Sequence, residues 1–244
     1  MNKINNKTVS VSTSVELKDA LESNNGYEYI YLENDITLES GIKINTNKSN
    51  VTIDGTYLNN TYTLTGMNSS EIDNTICSGT FTKEVKIKNM KIKNSNIYGI
   101  VCVPTEYSHR ETITTYDNII FNGTQLSFNP YGVVKISNST ITIEDTDGIN
   151  CQEVCEASYV IIGGKTNILS NSTSYPLFTF KNDAISPYVI FLCKSDIILS
   201  TDSREFMTGT NKLNFTILHD TKVHLTTGNG FTPMTIHGVN NVLI

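Results

Sequence analysis

Tryptophan is absent from this 244-residue chain, arginine occurs only at Arg110 and Arg204, and charged side chains are 17% of the total. A net charge of -6 gives no reason to expect nucleic acid as a partner. No apolar run approaches the roughly 18 residues that span a bilayer, which excludes direct membrane insertion by a helix. The opening residues MNKINNKTVSVS lack the apolar centre of a secretion signal, so the chain is expected either to stay inside the cell or to have lost its export signal. Cysteine is scarce and scattered (Cys77, Cys102, Cys151, Cys155, Cys193). An odd number without C-x-x-C pairs is neither a disulfide framework nor a zinc site, and buried thiols are the expectation. Cys151 and Cys155 form the one candidate bridge or metal pair, with no histidine nearby in sequence to complete a site. Nothing calls for a cofactor or a metal.

What the chain has is asparagine, threonine, serine, isoleucine and tyrosine, which is strand-forming material punctuated by turn formers. One helix is predicted near 14–23. Thr13 and Glu16 have the spacing of a capping box, Leu17, Ala20 and Leu21 fall on one face, and Asn24, Asn25 and Gly26 stop it. So narrow an apolar face needs a surface to cover, and the open end of a strand stack is the natural one. Period-two strands follow at Tyr29–Tyr31, Ile36–Leu38, Ile42–Ile44 and Val51–Ile53. Later segments repeat a strand–turn–strand form, in VVKISNSTITI, YVIIGGKTNIL, YVIFLCKSDIIL and LNFTILHDTKVHL. Aligning Ile141, Ile168, Ile197 and Val223 makes the unit about 27 residues long, which must be a supersecondary unit stacked on its neighbours. No helical period recurs after Leu21, and propeller blades are longer. The unit therefore reads as one coil of a parallel β-helix, with rungs about 4.8 Å apart.

The predicted fold is thus all-β, a right-handed parallel β-helix with a short N-terminal capping helix. A single domain covers 9–244 behind a disordered extension at 1–8. Asn89, Asn122, Asn138 and Asn167 are assigned to turns with positive φ. The chain is expected to stop in mid-rung at Ile244, leaving an edge through which molecules could self-associate. An inserted loop near 98–116 carries Tyr107, His109, Arg110 and Glu111, the richest polar cluster of the chain and a candidate site for a carboxylated or hydroxylated sugar. Lys83, Lys86, Lys88, Lys91 and Lys93 alternate with apolar residues. They are expected to form an outward basic stripe, with Lys86, Lys88 and Lys91 as candidate contacts for an anionic polymer. The plainer reading is that these lysines keep a β face soluble. Tyr57, Tyr62, Tyr107, Tyr116 and Tyr131 are candidates for stacking on sugar rings.

NVTIDGT, YTLTGMNSS, VKIKNMKI, YGIVCVP, TYDNIIFNGTQLSFNPYG and the closing NNVLI resemble the pectate-lyase-like adhesive domain family of low-GC Gram-positive bacteria. The resemblance extends over about 9–244, with 122–132 as its most specific part. It implies a right-handed parallel β-helix within a secreted or cell-surface protein. The implied role is adhesion, with polysaccharide or host extracellular matrix as partner and no catalytic residues.

Two other functions are weighed beside it. Parallel β-helices often act on acidic polysaccharides, but a lyase needs acidic Ca²⁺ ligands and an Arg or Lys base, and only two arginines are present. DTDGIN, with Asp145 and Asp147, is similar to the NTDGID of polygalacturonases. Their Gly-Asp-Asp, Gly-His-Gly and Arg-x-Lys are missing, and the two aspartates are expected to close a turn. A diverged carbohydrate-active enzyme is therefore the second reading, and a purely structural stalk the third.

Overall fold

The computed structural model describes residues 1–105, 111–180, 187–208, 213–227 and 239–243. It is a parallel β-solenoid of about seven turns with one short helix near the N-terminus. Each turn visits three sheets in the same order. In the first sheet, Thr8–Val11, Tyr29–Leu32 and Asn50–Asp54 are followed by 84–88, 113–117, 133–137 and 159–163. Tyr188–Phe191, Leu213–Ile217 and Val239–Leu243 continue it in parallel. The second sheet runs from Ile36–Thr37 through Thr63–Thr65 to Lys222–Thr227, and the third from Ile42–Lys43 through Ile76–Cys77 to Met207–Thr208.

Alternation sends every second residue of each first-sheet strand inward, and register stacks these residues in columns. Val9, Ile30, Ile53, Ile87, Tyr116, Ile136, Ile162 and Phe191 occupy successive rungs of one column. All of them are buried. Tyr116 is therefore core and not the surface tyrosine expected; its hydroxyl donates to the Leu126 carbonyl at 3.2 Å. Beside it Ser127 and Thr114 pair their hydroxyls at 3.2 Å, so the polar tip of the ring ends among polar groups.

In the second sheet Ile36, Leu64, Ile92, Phe121, Ile141, Ile168 and Leu199 stack. The partner of Ile168 is Leu199, whereas Ile197 lies opposite Thr166. The cause is the turn between sheets. Phe191 pairs with Ile162 and Asp196 with Lys165, so the turn holding Lys194 is two residues longer than the one holding Gly164. An insertion of two preserves the inward parity, which is why the sequence pattern did not expose it.

That corner recurs as a left-handed residue: Asn89, Asn118, Asn138, Gly164, Lys194 and Asp220 all have φ between 52° and 62°. Asn89 and Asn138 fulfil the expectation. Asn122 and Asn167 instead lie within strands, and Asn118 and Gly164 take the corner. Asparagine tolerates this conformation and also links the rungs, with Asn118 donating to Asn89 Oδ1 at 2.9 Å.

The helix, α1 (Ser14–Glu22), buries Leu17, Ala20 and Leu21 over the N-terminal end of the coil. Thr13 Oγ1 accepts from the Glu16 N–H, while the Glu16 carboxylate accepts from the Ser12 N–H, one residue ahead of a reciprocal box. Residues 1–8, expected to be disordered, instead fold back. Asn2–Lys3 pairs antiparallel with Thr8–Val11, and the amino terminus bonds Glu16. The expected loop at 98–116 is shorter too, because Val101–Cys102 is a buried third-sheet strand and a further strand starts at Ile113.

Candidate functional site: a tyrosine cluster on the first sheet

The five lysines do not make one stripe. Asn89, at φ 54°, turns the chain between sheets in the middle of Glu84–Asn94. Lys86 and Lys88 therefore face outward from the first sheet, and Lys91 and Lys93 from the second. Lys88 Nζ lies 3.2 Å from Asp54 Oδ2 on the preceding rung, and Lys86 Nζ 3.7 Å from Asp117 Oδ2 on the following one. The charges of Lys86 and Lys88 are thus paired across rungs, which weakens their hold on an anionic polymer.

Asp54 is only 4% exposed. It accepts from the Tyr29 hydroxyl at 2.6 Å, the Thr56 N–H at 3.0 Å and Asn89 Nδ2 at 3.1 Å, in addition to Lys88. Burial pushes its carboxyl upward, but these hydrogen bonds outweigh it and hold the pKa below the ordinary value. The same contact raises the Tyr29 phenol well above its usual range, with burial the larger cause. Asp54 thereby fixes one ring of an aromatic group. Tyr29 and Tyr31 lie two apart on one strand, both outward, with ring centroids 4.8 Å apart. Tyr57 reaches over Tyr31 at 5.8 Å. It is placed there by a hairpin, Thr56–Tyr57 against Asn60–Thr61, whose tip residues Leu58 and Asn59 have φ 48° and 67°. Lys88 Nζ stands 5.3 Å from the Tyr29 ring centroid. Three half-buried rings on a scaffold of strands, with their neighbouring charges paired, form a rigid apolar-and-hydroxyl surface of the kind that takes a sugar ring.

Of the candidates predicted from sequence, Lys88 and Tyr57 belong to this cluster. Lys86 is on the same sheet but engaged with Asp117, and Lys91 is on another sheet. Tyr107, His109 and Arg110 lie outside the described residues; Glu111 is exposed just ahead of the strand beginning at Ile113. Tyr29, Tyr31 and Asp54 were missed. The pattern YIYL held the signal, since Ile30 and Leu32 on the inward parity require both tyrosines to face out.

Asp145 and Asp147 serve a turn. Thr146 and Ile149 exchange both backbone hydrogen bonds at 3.0 Å around Asp147-Gly148, at φ 53° and 80°, while Asp145 Oδ1 accepts from the Cys151 N–H. Asp147 also accepts from Ser95 Oγ at 2.5 Å, anchoring the hairpin to the coil. Cys155 stacks inside the third sheet between Ser127 and Phe178, and Cys151 is buried, each a thiol. No group of three metal-binding side chains occurs among the described residues, nor is any helix there long and apolar enough to cross a membrane.

Residues 8–128 match the model of one family, the Putative pectate lyase-like adhesive domain. Searches of curated proteins and of solved structures return no match. The matched segment runs from the strand that precedes α1 into the fourth turn of the solenoid and contains the whole tyrosine cluster. The segment 8–128 is therefore identified with the pectate lyase-like adhesive domain family.

Proposed function

We propose that the protein is a non-catalytic, adhesion-type domain of a secreted or cell-surface protein that binds polysaccharide, including glycans of a host extracellular matrix, through the outward tyrosines of the first sheet. The observation that carries this reading is the cluster of Tyr29, Tyr31 and Tyr57, held by Asp54 and the Thr56–Thr61 hairpin. The family description supports the adhesive role. Stacked rungs suit it, because each added coil lengthens a rigid face without a new fold.

The test is retention on immobilised neutral and acidic polysaccharides, together with a turnover assay on the same panel with and without Ca²⁺. Tyr31→Ala should lower retention by about five- to tenfold, in keeping with loss of one stacking contact worth on the order of 1–1.5 kcal/mol, and leave the Tm nearly unchanged. Retention should persist at about 0.5 M salt, where exposed charges are screened within a few Å. Unchanged retention in the Tyr31 variant overturns the assignment of the face. Turnover that vanishes when Asp145 and Asp147 become Asn overturns the non-catalytic reading.

A further inference from the structure

Two cysteines far apart in sequence meet on the outside of the third sheet. Cys77 and Cys102 are direct partners on adjacent parallel strands, Ile76–Cys77 and Val101–Cys102. Their inward neighbours Ile76 and Val101 fill the core, so both thiols project outward in a column that reads Lys43, Cys77, Cys102, Phe128. They are nevertheless 6% and 0% exposed, because with Phe128 they form a separate apolar cluster roofed by Ile72 and Tyr98. Tyr98 closes the far side, its ring edge-on to Phe128 at 5.2 Å.

The near side opens. A pocket of about 300 Å³, bounded by Glu22, Lys43, Ile72, Asp73 and Pro104, has Cys77 in its wall. Cys102 lies behind Cys77. One thiol is thus approached from solvent and the second is reached only through the first, which is the order required of an attacking and a resolving cysteine. Around Cys77 Sγ the Thr75 hydroxyl lies at 3.4 Å, and the thiol itself is 3.4 Å from the Ile72 carbonyl. A hydrogen bond from Cys102, helped by Thr75 and by the Lys43 charge, lowers the Cys77 thiol to about 7 against the effects of burial and of the Asp73 charge. Burial pushes Cys151 up to about 11 and Cys155 well above its usual value, so neither competes as a thiolate.

We propose that Cys77 and Cys102 are a redox-active pair that closes into a disulfide between the second and third coils by exchange with a low-molecular-weight disulfide entering this pocket. The Cys77 thiolate attacks one sulfur of the small disulfide, whose S–S bond breaks and releases one thiolate. Cys102 gives up its proton and attacks the Cys77 sulfur of the mixed disulfide, releasing the second. Two protein thiols are oxidised, the small disulfide is reduced to two thiols, and the protons lost by the cysteines pass to the leaving groups. The geometry suits closure. Adjacent strands hold Cα atoms about 4.8 Å apart, within the range that a disulfide bridges. In-register side chains start slightly wider than the Cβ separation of a relaxed disulfide. The bond should therefore be a reducible one, and the two-residue strands that carry it are short enough to shift.

The test exposes the whole folded chain to oxidised glutathione, with Cys193→Ser removing the exposed thiol. Trapping, non-reducing digestion and mass spectrometry then locate the products. Expected are a Cys77–Cys102 linked peptide, arrest at a glutathione adduct on Cys77 in the Cys102→Ser variant, and alkylation of Cys77 at least ~10-fold faster than Cys151 at neutral pH. The proposal is overturned if Cys77 stays unmodified in the folded protein. It is equally overturned if glutathione remains on Cys77 while Cys102 is present and no linked peptide forms.

Discussion

Asp54 gathers its four partners from three coils, since Tyr29 precedes it by one rung and Lys88 and Asn89 follow by one. Alternation in NVTID placed its side chain outward, but no local pattern could say which groups would surround it, because those depend on register. Its depressed pKa has a consequence for stability. The stabilisation is complete above the unfolded pKa of about 3.9 and is lost as the pH falls through the lower folded value. Asp54→Asn keeps an acceptor for the Thr56 N–H and loses the charge that Tyr29 and Lys88 address. The expected cost is about 1.5–3 kcal/mol at pH 7 and shrinks progressively once the pH falls below the unfolded value of about 3.9, and thermal melts of both proteins from about pH 7 to about pH 2 would measure it. A gap that stays constant down to about pH 2 would show that the charge is not what matters. The lysines teach a similar lesson at this scale. Their alternation with Val85, Ile87, Met90 and Ile92 correctly predicts that they point outward, yet one left-handed asparagine sends them to two different faces.

At the scale of elements, α1 was the most legible part of the chain, because a nine-residue helix is set by local features: a threonine cap, three apolar residues on one face and an asparagine stop. Its end is also tied tertiarily, by Asn45 Nδ2 donating to the Glu22 carbonyl at 2.7 Å and the Asn45 N–H to the Leu21 carbonyl at 2.9 Å. Leu21 is fully buried under the helix, and Val15 is 68% exposed. Leu21→Ala should therefore cost about 2–5 kcal/mol by leaving a cavity at the mouth of the coil, while Val15→Ala should change stability by less than ~0.5 kcal/mol. Chemical denaturation of the two variants compares them directly. Equal losses would mean that the helix is not the cap of the stack. The strands were legible in number and parity, but a turn lengthened by two residues near Lys194 shifted their pairing without disturbing either.

For the molecule as a whole, the family match and the folded unit have different limits. The matched segment closes at residue 128. The strand Ser127–Ser137 runs straight through that point, its first residues in the third sheet beside Val101 and its last in the first sheet beside Ile113. The strands at 113–117 and 120–123 take their next-rung partners from 133–137 and 140–143, and Tyr116 keeps its place only with Ile136 stacked on it. A chain cut after 128 would present the open hydrogen-bonding edges of these strands and an uncovered end of the core, with no element equivalent to α1 to close it. Such a fragment should aggregate or populate oligomers during size-exclusion chromatography at concentrations where the full chain elutes as one discrete species. Its cooperative melt should also be lost or lowered, since every rung in a stack is stabilised by its neighbours. A monomeric fragment with the melt of the full chain would instead establish that the first four coils fold on their own and that the later coils only extend the face.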